Sequence, residues 1–106
     1  METDELLKFI SQENDRLRAY HSGLDEDNAP LIQTVKLNEE IGELCDTVLA
    51  YDSLQRSKKL AEFEEQEIED EVADVIITTL LLADSIDVDI EEALENKINA
   101  VEERYE

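Results

Sequence analysis

Apolar residues along this chain recur at intervals of three and four, the spacing that gathers side chains on one face of an α-helix. Four such stretches can be traced. The first runs from Thr3 to His21, with Leu6, Phe9, Ile10, Leu17 and Tyr20 approximating one face. Thr3 is placed to cap it, and Asp4 and Glu5 suit the positive end of the helix dipole. The second opens at Asn28 and Pro30, a capping residue followed by a first-turn proline, and continues to about Arg56. Its stripe is Leu37, Ile41, Leu44, Val48 and Tyr51. The third covers Leu60 to Ser85. Its first half is acidic, with Phe63 and Ile68 facing a core; from Val72 it is apolar nearly all round (VADVIITTLLLA). Asp87 or Asp89 caps a fourth helix, which has Glu91 and Glu92 in its first turn and Ile90, Leu94, Ile98 and Val101 on its inner face. Between these lie SGLDEDNA, from Ser22 to Ala29, and SLQRSKK, from Ser53 to Lys59, both read as turns. The basic residues of the latter oppose the negative end of the second helix.

No stretch alternates with the period of a strand, and no repeat is visible. The pattern predicts an all-α protein, a four-helix bundle-like protomer in which residues 1–106 form a single domain. A helix that is apolar on every side must be covered on every side. Four helices of this length cannot surround Val75 to Ala83, so a subunit interface is expected there.

Composition sharpens this picture. Two Gly and one Pro suit a few long helices, and 42% hydrophobic residues can supply a core without any Trp. The formal net charge is −21, from 30 acidic and 9 basic side chains, which excludes a basic nucleic-acid face. A polyanionic substrate would need divalent cations and a local basic pocket. Cys45 is the single cysteine, so an internal disulfide is excluded, and it is expected to be a packing residue. The start METDELLKFI lacks the parts of a signal peptide, and the longest apolar stretch is too short for a bilayer. A soluble, cytoplasmic protein with no membrane partner is expected.

Two acidic motifs carry candidate chemistry. Glu39, Glu40 and Glu43 form EExxE on the second helix, and Glu71 and Asp74 form ExxD on the third. Residues three apart point the same way. Glu40 and Glu43 lie along one edge of the Leu37/Ile41/Leu44 stripe, and Glu71 and Asp74 along one edge of Val72/Val75/Ile76. If the two helices pack antiparallel through these stripes, the four carboxylates converge. Converging carboxylates repel, and burial raises the cost. A hard divalent cation such as Mg²⁺, with Mn²⁺ as a substitute, relieves both through oxygen ligands and needs no histidine. His21, the single histidine, argues against a ferritin-like di-iron site. The opposing explanation is a solvated acidic face, since glutamate is so abundant that ExxE arises by chance. Position distinguishes the motifs: they border apolar stripes, whereas Glu62, Glu64, Glu65, Glu67 and Glu69 form an ordinary charge run.

KLNEEIGEL, from Lys36 to Leu44, and EVADVIITTLLLA, from Glu71 to Ala83, resemble the all-α NTP pyrophosphatases of the MazG-like type. That family's signature is EExxE, a spacer, then ExxD; here the spacer is the 27 residues between Glu43 and Glu71. Leu37, Gly42 within EIGEL, and an apolar run after Asp74 match the context, and the resemblance covers roughly Leu31 to Tyr105. It implies a MazG-type protomer assembled into a dimer or a dimer of dimers. It implies Glu40, Glu43, Glu71 and Asp74 as metal ligands, with Glu39 supporting the site or a second metal. Glu39 or Glu43 would orient or deprotonate the attacking water. The family also carries Lys, Asn and Arg on its last core helix near substrate phosphate. Lys97 and Arg104 fit that spacing; the Asn position holds Val101, while Asn96 and Asn99 flank Lys97, and Asn96 is taken as the candidate. Surface pairing of Lys97 and Arg104 with Glu102 or Glu103 is the alternative for those two. The activity implied is Mg²⁺-dependent cleavage of a (d)NTP between its α and β phosphates, giving the monophosphate and pyrophosphate. Two rivals stand beside it: a related phosphohydrolase acting on another nucleotide-type substrate, and a non-catalytic acidic helical interaction module.

Overall fold

The computed structural model describes residues 1–55 and 61–106, the stretches 53–55 and 61–65 as backbone only. Its elements are α1 (Thr3–Tyr20), α2 (Ala29–Gln55), α3 (Ala61–Ser85) and α4 (Ile90–Glu103), and no strand occurs among the described residues. The fold is all-α, as the periodicity predicts. Helix α2 runs to Gln55, next to the Arg56 expected of it, so Ser53 to Gln55 are helical and not the start of the turn read from Ser53 to Lys59. The rest of that turn, with Arg56, Lys58 and Lys59, lies outside the described residues, as do the side chains of Glu62, Phe63, Glu64 and Glu65. The chain forms two compact units: Met1–Pro30 with Leu80–Glu106, and Leu31–Thr79.

In the first unit, α1 begins without a side-chain cap. Glu2 occupies the capping position in an extended conformation, so Thr3 is the first helical residue and not the cap expected of it. Asp4 and Glu5 do lie in the first turn, where the helix dipole favours them. Ile10 and Asn14, one turn apart, are the buried residues of this helix, whereas Tyr20 points to solvent. Asn14 Nδ2 donates to the Leu81 carbonyl at 3.1 Å and to Asp84 Oδ2 at 2.8 Å. One neutral amide thereby ties α1 to the last turn of α3. Asn28 does not turn its side chain to α2: its Oδ1 accepts from Asp25 N–H and its Nδ2 donates to Gly23 O, which closes the preceding loop on itself. Asp25 Oδ1 returns the contact by accepting from Asn28 N–H.

The end of α3 is built by a residue in the left-handed region. Asp87 has φ 58°. With Asp87 there, Val88 N–H reaches back to Ala83 O at 3.0 Å and Asp87 N–H to Asp84 O at 3.2 Å, the paired bonds of a Schellman turn. Asp89 then caps α4, its Oδ1 accepting from Glu92 N–H. Of the two capping candidates, Asp89 caps and Asp87 turns. Leu7, Ile10, Leu80, Val88 and Ile90 surround a cavity of about 160 Å³ with Asp84 and Asp89 at its edge. Leu94 and Ile98 do not face inward as the periodicity suggested; each is 56% exposed.

In the second unit the inner line of α2 is rotated from the expected stripe. Gln33, Leu37, Glu40, Leu44, Thr47 and Tyr51 are the buried or half-buried residues, spaced four, three, four, three and four. Ile41 and Val48 are exposed instead. On α3 the corresponding line is Ile68, Glu71, Val75 and Thr78, with Val72 and Ile76 exposed. Cys45 is also exposed and is not a packing residue. The apolar run on α3 divides: Leu80, Leu81 and Ala83 are buried within the first unit, so the uncovered apolar surface is confined to its earlier turns.

Candidate metal centre

The rotation of the inner lines is what makes the site. A carboxylate at the edge of a stripe can stay in water; one within the line cannot. Glu40 follows Leu37 and precedes Leu44 on the inner line of α2, and is 6% exposed. Glu71 follows Ile68 and precedes Val75 on that of α3 and is half-buried. Glu43, three residues beyond Glu40, is exposed and closes the group from the solvent side. One oxygen of each of Glu40, Glu43 and Glu71 lies within 4.8 Å of the others. Three of the four expected ligands are thus brought together. Asp74 is exposed and is not in this set, although its charge acts on Glu71.

Lys36 is the one described cation that enters the site. Its Nζ lies 3.0 Å from Glu40 Oε1. That leaves Glu40 Oε2 buried with no hydrogen-bond partner, and Glu71 Oε2 is in the same condition. Unpartnered buried oxygens are costly, most of all on carboxylates. Burial raises the Glu71 carboxyl above its ordinary range, and the charges of Glu43, Glu40, Asp74 and Glu67 push it further the same way. The Lys36 ammonium is also held above its usual range, first by its hydrogen bond to Glu40 and then by the charge of Glu40, with smaller contributions from Glu39 and Glu43. An all-oxygen donor set with two unpartnered buried oxygens fits a hard divalent cation.

Glu39 is exposed on α2 and, with Leu31, Ile32, Val35 and Lys36, borders an open, largely apolar groove. Asn96 and Lys97 are exposed on α4, and Arg104 is the exposed residue that ends it. These three belong to the first unit, and neither Lys97 nor Arg104 forms an ion pair among the described residues. Surface pairing with Glu102 or Glu103 is therefore not their arrangement. Lys36 was not singled out from the sequence. Its signal was the four-residue step to Glu40, easily lost because Glu39 and Glu43 stand at neighbouring spacings.

A sequence model of the MazG-like family matches residues 35–106. The chain belongs to the MazG-like family. It is also 33% identical over 92 residues to the uncharacterized protein YpjD of Bacillus subtilis (strain 168), an alignment covering 86% of this chain and 78% of that one. No solved structure matches the chain. The MazG-like match takes in Lys36, both acidic motifs and all of α4, and it leaves α1 outside. Membership suggests a function of the nucleotide pyrophosphohydrolase type. No described helix is long and apolar enough to cross a membrane.

Proposed function

We propose that this MazG-like protein is a Mg²⁺-dependent nucleoside triphosphate pyrophosphohydrolase that cleaves a (d)NTP between the α and β phosphates, releasing the monophosphate and pyrophosphate. One observation carries the proposal: Glu40, Glu43 and Glu71 converge within 4.8 Å with Glu40 Oε2 and Glu71 Oε2 buried and unpartnered. A solvated acidic face or a purely structural module would leave those oxygens in water, where they cost nothing.

Glu40, Glu43 and Glu71 would hold the cation, with Asp74 as the fourth ligand from the outer side of α3. Mg²⁺, or Mn²⁺ in its place, would neutralise phosphate charge and activate water when bound. Glu43 and Glu39 are the exposed carboxylates of EExxE, and either would accept the proton of an attacking water at a carboxylate oxygen. Lys97 and Arg104 lie seven residues apart on one face, and as cations in a chain of net charge −21 they would meet substrate phosphate, with Asn96 beside them. The exposed Ile41, Val48, Val72 and Ile76 would be covered by a second copy, in a dimer or a dimer of dimers working in the cytoplasm. The test is pyrophosphate release with Mg²⁺ across common and modified NTPs and dNTPs. Release from none of them, by protein that binds Mg²⁺, would leave a related phosphohydrolase acting on another nucleotide-type substrate. Absence of Mg²⁺ binding would favour the interaction module.

A further inference from the structure

Lys36 and Glu40 are spaced as an ordinary helical pair, but helix energetics do not explain their contact. With Lys on the N-terminal side, the pair has the less favourable order for the helix dipole. An exposed pair of this kind contributes little. Here the two ends differ: the Lys36 side chain is 54% exposed and that of Glu40 only 7%. The ammonium reaches in from solvent to a carboxylate that α2 has placed on its inner line. It meets one oxygen and leaves the other unpartnered beside Glu43 and Glu71. The charges of Glu39 and Glu43 act on the same ammonium. Among the described residues, Lys36 is therefore the positive charge that Glu40 holds and that acts on Glu39 and Glu43.

We infer that Lys36 is the resident counter-cation of the metal centre, stabilising its metal-free form through Glu40 and thereby lowering its affinity for divalent cations. This rests on the metal reading above. The reason is competition of charge. A fixed positive charge bonded to Glu40 compensates part of the negative potential that attracts a metal ion, and it repels that ion at short range. It also lowers the free energy of the metal-free state, the reference from which binding is measured. Lys36 is thus a positioning and tuning residue that need touch neither metal nor phosphate. In such a centre, occupancy follows the free divalent concentration instead of being locked in permanently.

The experiment uses the full chain and Mn²⁺ as the probe, at pH 8, with the free ion counted by its electron paramagnetic resonance signal. Glu71→Gln serves as the control for ions held loosely by the acidic surface. Lys36→Met keeps the aliphatic stem and removes the charge; Lys36→Arg restores it. The expected result is that Lys36→Met binds Mn²⁺ about tenfold more tightly, while its metal-free melting temperature falls. Lys36→Arg should return both toward wild type, and saturating Mn²⁺ should narrow the difference in melting temperature. Unchanged or weaker Mn²⁺ binding by folded Lys36→Met overturns the inference and leaves the metal centre standing. No specific Mn²⁺ binding by wild type, measured against Glu71→Gln, overturns both.

Discussion

Glu40 on α2 and Glu71 on α3 meet across the inner lines of their helices, each with its Oε2 atom buried and unpartnered. Without metal, the two charges repel, and neither Oε2 atom has a donor to offset its desolvation. Neutralising one should therefore stabilise the metal-free protein. Glu71→Gln is expected to melt several degrees higher than wild type without metal. It should gain little when Mg²⁺ is added, whereas wild type should gain steadily by mass action. Its pyrophosphate release should fall roughly a hundredfold or more, because a ligand is lost. Glu95→Gln, on the exposed face of α4, is the control and should match wild type in all three. Equal responses of the two variants to Mg²⁺ would mean general screening of an acidic protein.

The raised Glu71 carboxyl gives a pH dependence of defined sign. Between the ordinary value near 4.5 and the higher folded value, the native state holds more protons than the unfolded state. Metal-free stability is therefore expected to fall as pH rises through this window. The difference between wild type and Glu71→Gln isolates this group from the other acids. Chemical denaturation at a series of pH values should show that difference growing with pH and levelling off above the folded value. A constant difference would remove Glu71 as its source.

Lys97→Ala and Arg104→Ala should raise KM by about tenfold each while leaving the circular dichroism melt unchanged. Both side chains are exposed and neither forms an ion pair among the described residues, so little folding energy depends on them. Steady-state kinetics beside the melt would decide this. Unchanged KM and kcat in both variants would take α4 out of the substrate site.

Ile41, Val48, Val72 and Ile76 leave apolar surface on the second unit, and a mass of two or four times 12.2 kDa is expected from light scattering at micromolar concentration. Ile76→Lys together with Val48→Lys should shift the mass toward that of a single chain. A single-chain mass for wild type would contradict the assembly.

The left-handed turn at Asp87 separates backbone from side-chain requirements. Asp87→Val should destabilise the protein by about 1–2 kcal/mol, because a β-branched residue is strained at positive φ. Asp87→Gly should be at least as stable as wild type, since glycine adopts that conformation freely. Urea denaturation of the pair would check the ordering, and equal stability of the two would mean that the turn relaxes.

The helices were legible because a period of three and four survives in every segment, and each described helix end falls within a few residues of its expected place. The face of each helix was less legible. On α2, Leu37 and Leu44 belong to both the apolar stripe and the true inner line, so a rotation of one residue changes Ile41 for Glu40 and Val48 for Thr47. Hydrophobicity favours the first choice, and the structure adopts the second. A sequence reading puts apolar residues inside by default and cannot weigh apolar surface left outside the protomer. The same rotation placed Glu71 between Ile68 and Val75. The motifs thus pointed to these acids as a group, of which Glu40, Glu43 and Glu71 converge, but only packing distinguishes Glu40 and Glu71 from the exposed Glu43 and Asp74.

The amide of Asn14 has a consequence for the rate of folding. Its two bonds cross 67 and 70 residues of sequence to Leu81 and Asp84. The compact unit containing α1 also contains α4. Asn14 therefore meets partners that lie beyond the whole of α2 and most of α3. Contacts of such long sequence separation slow folding, because a long loop must close before any of them forms.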